Sequence, residues 1–152
     1  MMKIKQVDYT NNDLQRLVQQ LDAFFEQQWG QATSQKYQSF HQLSKMAYAC
    51  VGYQDEAIAC GCFKIMDEQT IEIKRMYVVP QYRRQGIASE ILSHLEETAY
   101  QMGYHYSVLE TGKEMLDNIK FYEKCGYHII DSYGDFINDD VCICMMKDLN
   151  SN

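Results

Sequence analysis

Proline occurs once in the 152 residues, at Pro80, and no stretch rich in Pro, Gly or Ser interrupts the chain. Nothing marks a linker, and one folding unit usually runs to ~100–150 residues, so a single domain is expected over residues 1–152. No apolar run approaches the ~18 residues needed to span a bilayer. Met1-Met2-Lys3-Ile4-Lys5 leads straight into alternating polar sequence without the apolar segment of a leader, so the expectation is a cytoplasmic protein. Basic residues are the minority, 14 against 21 acids, for a net charge of −7. Nucleic acids and anionic membranes are bound by neutralising phosphate with Lys and Arg, so neither is an expected partner. At 46% apolar and 23% charged, the composition is that of a folded globule rather than a disordered chain.

The Cys-x₂-Cys spacing usual for structural zinc is also missing. Six cysteines are present, Cys50, Cys60, Cys62, Cys125, Cys142 and Cys144. In a reducing compartment they stay thiols. Cys60/Cys62 and Cys142/Cys144 lie in apolar alternating runs, where residues i and i+2 share a strand face. Core packing is preferred over a metal site, because free Cys behaves as a small hydrophobe.

What is present is a regular succession of elements. A short strand is expected from Ile4 to Tyr9. Asn11-Asn12-Asp13 offers an N-cap, and Leu14, Leu17, Val18, Leu21, Phe24 and Phe25 follow at helical spacing up to Gly30. A second short helix over Ser34–Leu43 would carry Tyr37 and Phe40. Met46–Tyr53 and Ala57–Met66 read as a hairpin joined by Gln54-Asp55-Glu56. Thr70–Val79 reads as a further strand, and Ile87, Ile91, Leu92, Leu95 and Ala99 as a buried helical stripe. A strand over Tyr104–Glu110, a helix over Leu116–Lys124 closed by Gly126, and strands over His128–Ser132 and Val141–Lys147 complete the chain. The order predicts an α/β (α+β) fold: a mixed, mostly antiparallel sheet of six to seven strands with helices on both faces. The helical crossover after the 70s strand is compatible with parallel pairing to the next one.

Four of the fourteen basic residues, Lys74, Arg75, Arg83 and Arg84, fall within residues 74–84, a window without an acid. The window ends in Arg83-Arg84-Gln85-Gly86-Ile87-Ala88, a basic turn that opens a helix. A helix start exposes unpaired N–H groups and the positive end of the dipole. Gly86 lets backbone approach a ligand, small Ala88 keeps the next contact close, and the arginines add charge and forked donors. These residues suit a pyrophosphate. They match neither a Walker loop nor a dinucleotide fingerprint.

Arg83-x-x-Gly86-x-Ala88 after a strand resembles the acetyl-CoA pyrophosphate motif of the GCN5-related N-acetyltransferases, the GNAT family. Ile119-Lys120-Phe121-Tyr122-Glu123-Lys124-Cys125-Gly126-Tyr127 is similar to that family's second signature. The two stand in the family's order with a strand between them, and the resemblance extends from residue 3 to residue 149. It implies acetyl-CoA as cosubstrate, no metal, and an amine acceptor that is a small molecule or peptide. It implies that Met76, Tyr77 and Val78 hold the pantetheine arm through their backbone. The Val78 N–H would polarise the acetyl carbonyl, and Arg83, Arg84, Gln85, Gly86, Ile87 and Ala88 would hold the pyrophosphate.

The acceptor must be neutral to attack, whereas alkyl ammonium groups titrate near ~10, so a base is useful. The resemblance offers Glu72, six residues before Val78, and Glu110, twelve before Tyr122; Glu72 is preferred. Tyr122 stands at the family's general-acid position and would protonate the leaving thiolate. The family's cofactor-touching Asn is replaced by Met115, and Asn118, one helical turn later, is kept as a cofactor-binding candidate. Asn118 and Lys120 also replace the signature's usual alanines.

Plainer readings stand beside these. Glu72 and Glu110 can be solvated strand residues, Tyr122 a packed ring with its hydroxyl in water, and Trp29, Tyr37 and Phe40 core rather than acceptor pocket. The four histidines, His41, His94, His105 and His128, are scattered and read as structural or surface groups. The acidic loop with Asp135, Asp139 and Asp140 reads as solvated rather than as an amine trap. The rival class is a non-catalytic acyl-CoA-binding or sensing module with the same Arg83–Ala88 turn. A homodimer is plausible, but no residue supports it.

Overall fold

The computed structural model describes residues 1–33 and 42–151. Strand β1 (Lys3–Val7) ends two residues before its expected limit. The cause is Asp8: its carboxylate accepts from the Thr10 N–H at 2.8 Å, and its carbonyl from the Asn11 N–H at 3.1 Å. Asn11 then caps helix α1 (Asn12–Trp29), its side chain accepting from the Leu14 N–H at 3.0 Å. Gly30, at φ +84°, ends the helix as expected. The second helix expected over 34–43 falls outside the described residues except at its end, where Leu43–Lys45 is one 3-10 turn.

Strands β2 (Tyr48–Gln54), β3 (Glu56–Ile65), β4 (Thr70–Val78), β5 (Tyr106–Gly112), β6 (His128–Ile130) and β7 (Cys142–Asp148) follow. Helices α2 (Ile87–Gln101) and α3 (Leu116–Lys124) lie between β4 and β5 and between β5 and β6. The seven strands are hydrogen-bonded in the order β1-β2-β3-β4-β5-β7-β6. The ladders β1–β2, β2–β3, β5–β7 and β6–β7 are antiparallel, and β4–β5 is parallel, as the crossover suggested. Strand β5 starts two residues later than its apolar run. The chain spends Gly103 (φ +97°) and Tyr104 on leaving α2, the Tyr104 N–H bonding the Ala99 carbonyl at 3.0 Å.

The chain forms two compact units, Met1–Ile65 with Ile73–Leu95, and Met66–Glu72 with Glu96–Asn152. In the first, the α1 stripe of Leu14, Leu17, Val18 and Leu21 packs with Ala49, Val51, Ala57, Cys60, Cys62 and Tyr77. Each such aliphatic side chain contributes ~1.5–3 kcal/mol by leaving water. Cys60 and Cys62 are fully buried, and burial pushes the Cys62 thiol up to about 12, so both act as apolar filler. Gly61 lies between them because space is short. A Cβ there would come within 2.8 Å of Ile91 Cγ2 and Leu95 Cδ1. Trp29 does not join this core; it is 37% exposed and packs on Phe24 and Phe25 at the end of α1. Tyr37 and Phe40 lie outside the described residues.

In the second unit the β5–β7 ladder sorts side chains onto two faces. Directly opposed residues share a face, as do residues i and i+2. Glu72↔Val108 in the parallel pair, Glu110↔Cys144, and Cys144↔Ile130 place Glu72, Glu110 and Cys144 on one face. Ser107 and its partner Lys147 occupy the other. There the Tyr127 hydroxyl lies 2.7 Å from Ser107 Oγ and donates to Glu96 at 2.8 Å, while Lys147 bonds the other Glu96 oxygen at 2.9 Å. A buried charge pair tied down at both ends avoids most of the penalty of burying either charge alone.

Candidate active site

Two sets of residues carry the expected chemistry. The first begins on the late part of β4, where Arg75 takes the left-handed conformation (φ +57°) inside the strand. A non-glycine residue there is uncommon and locally re-aims the backbone. Its guanidinium is held by Asp22 of α1, with Nη2 to the two carboxylate oxygens at 2.8 and 3.0 Å. Neither the twist nor the ion pair has a sequence signal, since the window reads as an uninterrupted strand.

Beyond Arg75 the alternation resumes. The Val79 N–H bonds the Ile58 carbonyl of β3 at 2.8 Å, so the polar groups of Val78 point to the edge away from β3. The Val78 carbonyl accepts from Arg83 Nε at 2.9 Å, and the Arg83 guanidinium lies 5.6 Å from the centre of the Tyr77 ring. Arg83 is therefore partly committed to its own strand, a constraint on the free, forked donor expected from the sequence. It locks the turn that follows β4, after the 3-10 turn Pro80–Tyr82.

Arg84 (φ +65°) and Gly86 (φ +79°) are both left-handed. Turns of this kind gather successive N–H groups into anion-binding concavities. The first helical bond of α2 runs from the Glu90 N–H to the Gly86 carbonyl at 3.1 Å. The amides of Ile87, Ala88 and Ser89 therefore precede the ladder and have no partner inside the helix. Arg84, Gln85 and Gly86 are exposed, Ala88 is partly so, and buried Ile87 anchors the turn. A Cβ built on Gly86 meets nothing within 4 Å, so the glycine is needed for its conformation and the space beside it is open.

The second set lies on the Glu72 face of the other unit. Glu72 is 1% exposed, which removes the reading of a solvated strand residue. Its Oε2 accepts a hydrogen bond from the Tyr133 hydroxyl at 2.5 Å. Glu110 is partly buried on the same face and its charge reaches Tyr133, Cys144 and Tyr122. The structure thus brings the two candidate carboxylates into one electrostatic cluster. Burial first, then Glu72, holds the Tyr133 phenol far above its ordinary range. Burial also raises the Cys144 thiol, whose hydrogen-bond partners are Ser132 and the Tyr133 backbone.

Tyr122 projects from α3 between Phe121 and Tyr127, with ring centres 5.0 and 5.7 Å away. Tyr122 is half-buried, and desolvation, followed by the nearby charge of Glu110, raises its pKa well beyond the normal phenol value. It remains a proton donor throughout the neutral range. Gly126 (φ +100°) lets the chain turn back so that the Tyr127 N–H reaches the Tyr122 carbonyl at 3.0 Å. Asn118 is exposed and its amide lies 3.7 Å from Met115 Sδ, so the candidate and the residue replacing the family's Asn are in contact.

Other groups play structural parts. His94 lies 2.7 Å from the Tyr48 hydroxyl and His105 bonds Asn150 at 2.8 Å. His41 is outside the described residues. Asp135 and Asp140 are exposed, and Asp139 accepts from the Val141 N–H at 2.8 Å. Cys125 is half-buried near Tyr122. Among the described residues, no group of three or more His, Cys, Asp or Glu is placed to hold a metal ion. No helix among them is long and apolar enough to cross a membrane. Sequence reasoning missed Tyr133, which lies in an acidic turn without periodicity and is one of twelve tyrosines.

Comparison with known proteins places the geometry in context. Residues 14–127 match the model of the Acetyltransferase (GNAT) family. An uncharacterized N-acetyltransferase of Bacillus subtilis, YsnE, is 33% identical over 97 residues, covering 62% of this chain and 64% of its own length. The chain thus matches less than two thirds of that relative, and 40% of a probable N-acetyltransferase of Xenopus tropicalis. A candidate acyl-CoA N-acyltransferase from Klebsiella pneumoniae superposes with a TM-score of 0.81 over 98% of both chains, at 27% identity. A GNAT family acetyltransferase from Elizabethkingia anophelis with acetyl-CoA bound shares the fold, with a TM-score of 0.73 over 97% of both chains at 19% identity.

Proposed function

Because this chain belongs to the Acetyltransferase (GNAT) family, we propose that it transfers the acetyl group of acetyl-CoA to a primary amine of a small molecule or peptide by direct attack. The observation that carries the reading is the left-handed turn at Arg84 and Gly86, which opens α2 with three amides outside its hydrogen-bond ladder. Such a turn suits a diphosphate, because backbone donors and the helix dipole meet negative charge without any side chain having to move.

In this reading Arg84, Gln85, Gly86, Ile87 and Ala88, with what remains of the Arg83 fork, bind the pyrophosphate. Met76, Tyr77 and Val78 align the pantetheine arm. The Val78 N–H, on the edge away from β3, stabilises the oxyanion formed when the amine nitrogen bonds to the thioester carbon. Glu72 accepts the proton lost by the amine, with Glu110 as the other candidate base. Collapse breaks the C–S bond, and Tyr122 donates a proton or a strong hydrogen bond to the departing thiolate. A phenol raised this far is a weaker acid than a thiol, so the hydrogen bond is the larger part of its contribution. Asn118 contacts the cofactor near the start of α3. The net charge of −7 favours a cationic acceptor, drawn in as ammonium and deprotonated at the site.

A thiol-release assay with acetyl-CoA across polyamines, amino acids and peptides tests this directly. Amine-dependent release is expected, strongest with small cationic amines. Binding of acetyl-CoA with no release from any amine would assign the turn to a non-catalytic acyl-CoA module instead.

A further inference from the structure

We propose that Tyr133 is a positioning residue for the base Glu72, a role that rests on the acetyltransferase reading above. Glu72, Glu110 and Cys144 share one sheet face through Glu72↔Val108 and Glu110↔Cys144, and Ile130 joins that face opposite Cys144. The chain leaves β6 at Ile130 and returns over the face at Tyr133, whose carbonyl accepts from the Phe136 N–H at 3.0 Å in a 3-10 turn.

Three contacts fix the phenol. Its ring meets Phe136 edge-on, centres 5.8 Å apart at 86°, and Phe136 is 4% exposed. The root of the loop is tied to β7 through the Cys144 thiol, which bonds Ser132 and the Tyr133 backbone. The hydroxyl donates to Glu72 Oε2 at 2.5 Å. A surface tyrosine needs none of these, and a core tyrosine needs only the first.

The consequence is chemical. A carboxylate on a strand can rotate about its terminal torsion, which is broad and nearly two-fold. A donor fixed on one oxygen sets the plane of the group and hence the aim of the whole carboxylate. By register Glu110 and Cys144 share this face with Tyr106, His128, Cys142 and Asp148, and buried Lys74 follows Glu72 by two residues along its strand. Tyr133, held far above its ordinary range by burial and then by Glu72, stays protonated and so remains the donor.

The experiment compares wild type, Tyr133→Phe, Glu72→Gln and the double variant in thiol release, each with kcat, KM and a melting temperature. Tyr133→Phe should lower kcat roughly 10–100-fold, up to the loss that a small misplacement of a reacting group can cause. KM for acetyl-CoA should stay within about twofold, the split expected when the aim of the base is lost and cofactor binding is not. The double variant should be no slower than Glu72→Gln alone, because both changes act on one group. Phe136→Leu keeps an apolar side chain but removes the edge-on ring contact, and should lower kcat in the same direction by less. A wild-type-like kcat in Tyr133→Phe and Phe136→Leu, or losses that add in the double variant, would overturn the proposal while leaving the acetyltransferase reading intact. No thiol release from the wild type would overturn that reading and this role with it.

Discussion

Replacing Tyr122 by Phe removes only the phenol oxygen and keeps the ring between the two rings that hold its position. The expected result is a kcat lowered about 100-fold, at the low end for a lost general acid, with acetyl-CoA affinity nearly unchanged. Turnover of the variant with calorimetric titration of the cofactor checks both halves. Loss of affinity without loss of turnover would reassign the residue to binding. His94 makes a second prediction. Burial holds its pKa below the usual imidazole value. The folded state therefore keeps it neutral while the unfolded chain takes up a proton near ~6.5, so it contributes nothing above that pH and costs stability as pH falls below it. Between pH 7 and 5 the melting temperature of wild type should fall more steeply than that of His94→Gln. Tyr122 and Glu72 were legible as candidates because each stands at a fixed offset in a family motif. Tyr133 was not, because its partner is 61 residues away and contact at that range leaves no local pattern.

The elements themselves were largely readable. Apolar spacing and capping chemistry gave α1 its start at Asn11, and the expected limits of α3 coincide with the observed Leu116–Lys124. Errors fell where a side chain bonded the backbone, as Asp8 does after β1, or where a left-handed residue diverted the chain, as at Gly103 before β5. Arg75 is the clearest illegible feature: nothing in Ile73-Lys74-Arg75-Met76 announces a left-handed residue within a strand, because tertiary contacts with Asp22 help hold it there. At this scale Gly61→Val should be destabilising. Its side chain would enter space already claimed by Ile91, Leu95 and Met76, whose atoms lie 2.8 to 2.9 Å from the Cβ position. Overpacking of this kind costs about 1–3 kcal/mol, measurable as a lower midpoint in urea with an unchanged slope. A stability equal to wild type would mean that α2 shifts freely over β3.

For the whole molecule, charge distribution carries the functional expectation. A chain of net charge −7 that exposes Arg83 and Arg84 at the turn before α2 should attract a cationic acceptor overall while accepting an anionic cosubstrate locally. Both attractions are screened by salt, so kcat/KM for a polyamine should fall between 0.05 and 0.5 M salt, where the Debye length shrinks from roughly 14 to 4 Å, and that for a neutral-bodied amine should fall less. Equal salt sensitivity would remove charge from the account of acceptor choice. The central claim is narrower: backbone amides at the start of α2 grip the diphosphate. It is tested by following the amide resonances of isotope-labelled protein as coenzyme A, and separately acetyl-pantetheine, is added. The amides of Gly86, Ile87 and Ala88 should move with coenzyme A in proportion to occupancy and stay still with acetyl-pantetheine, which lacks the diphosphate. Amides there that ignore coenzyme A, or answer both compounds alike, would contradict it.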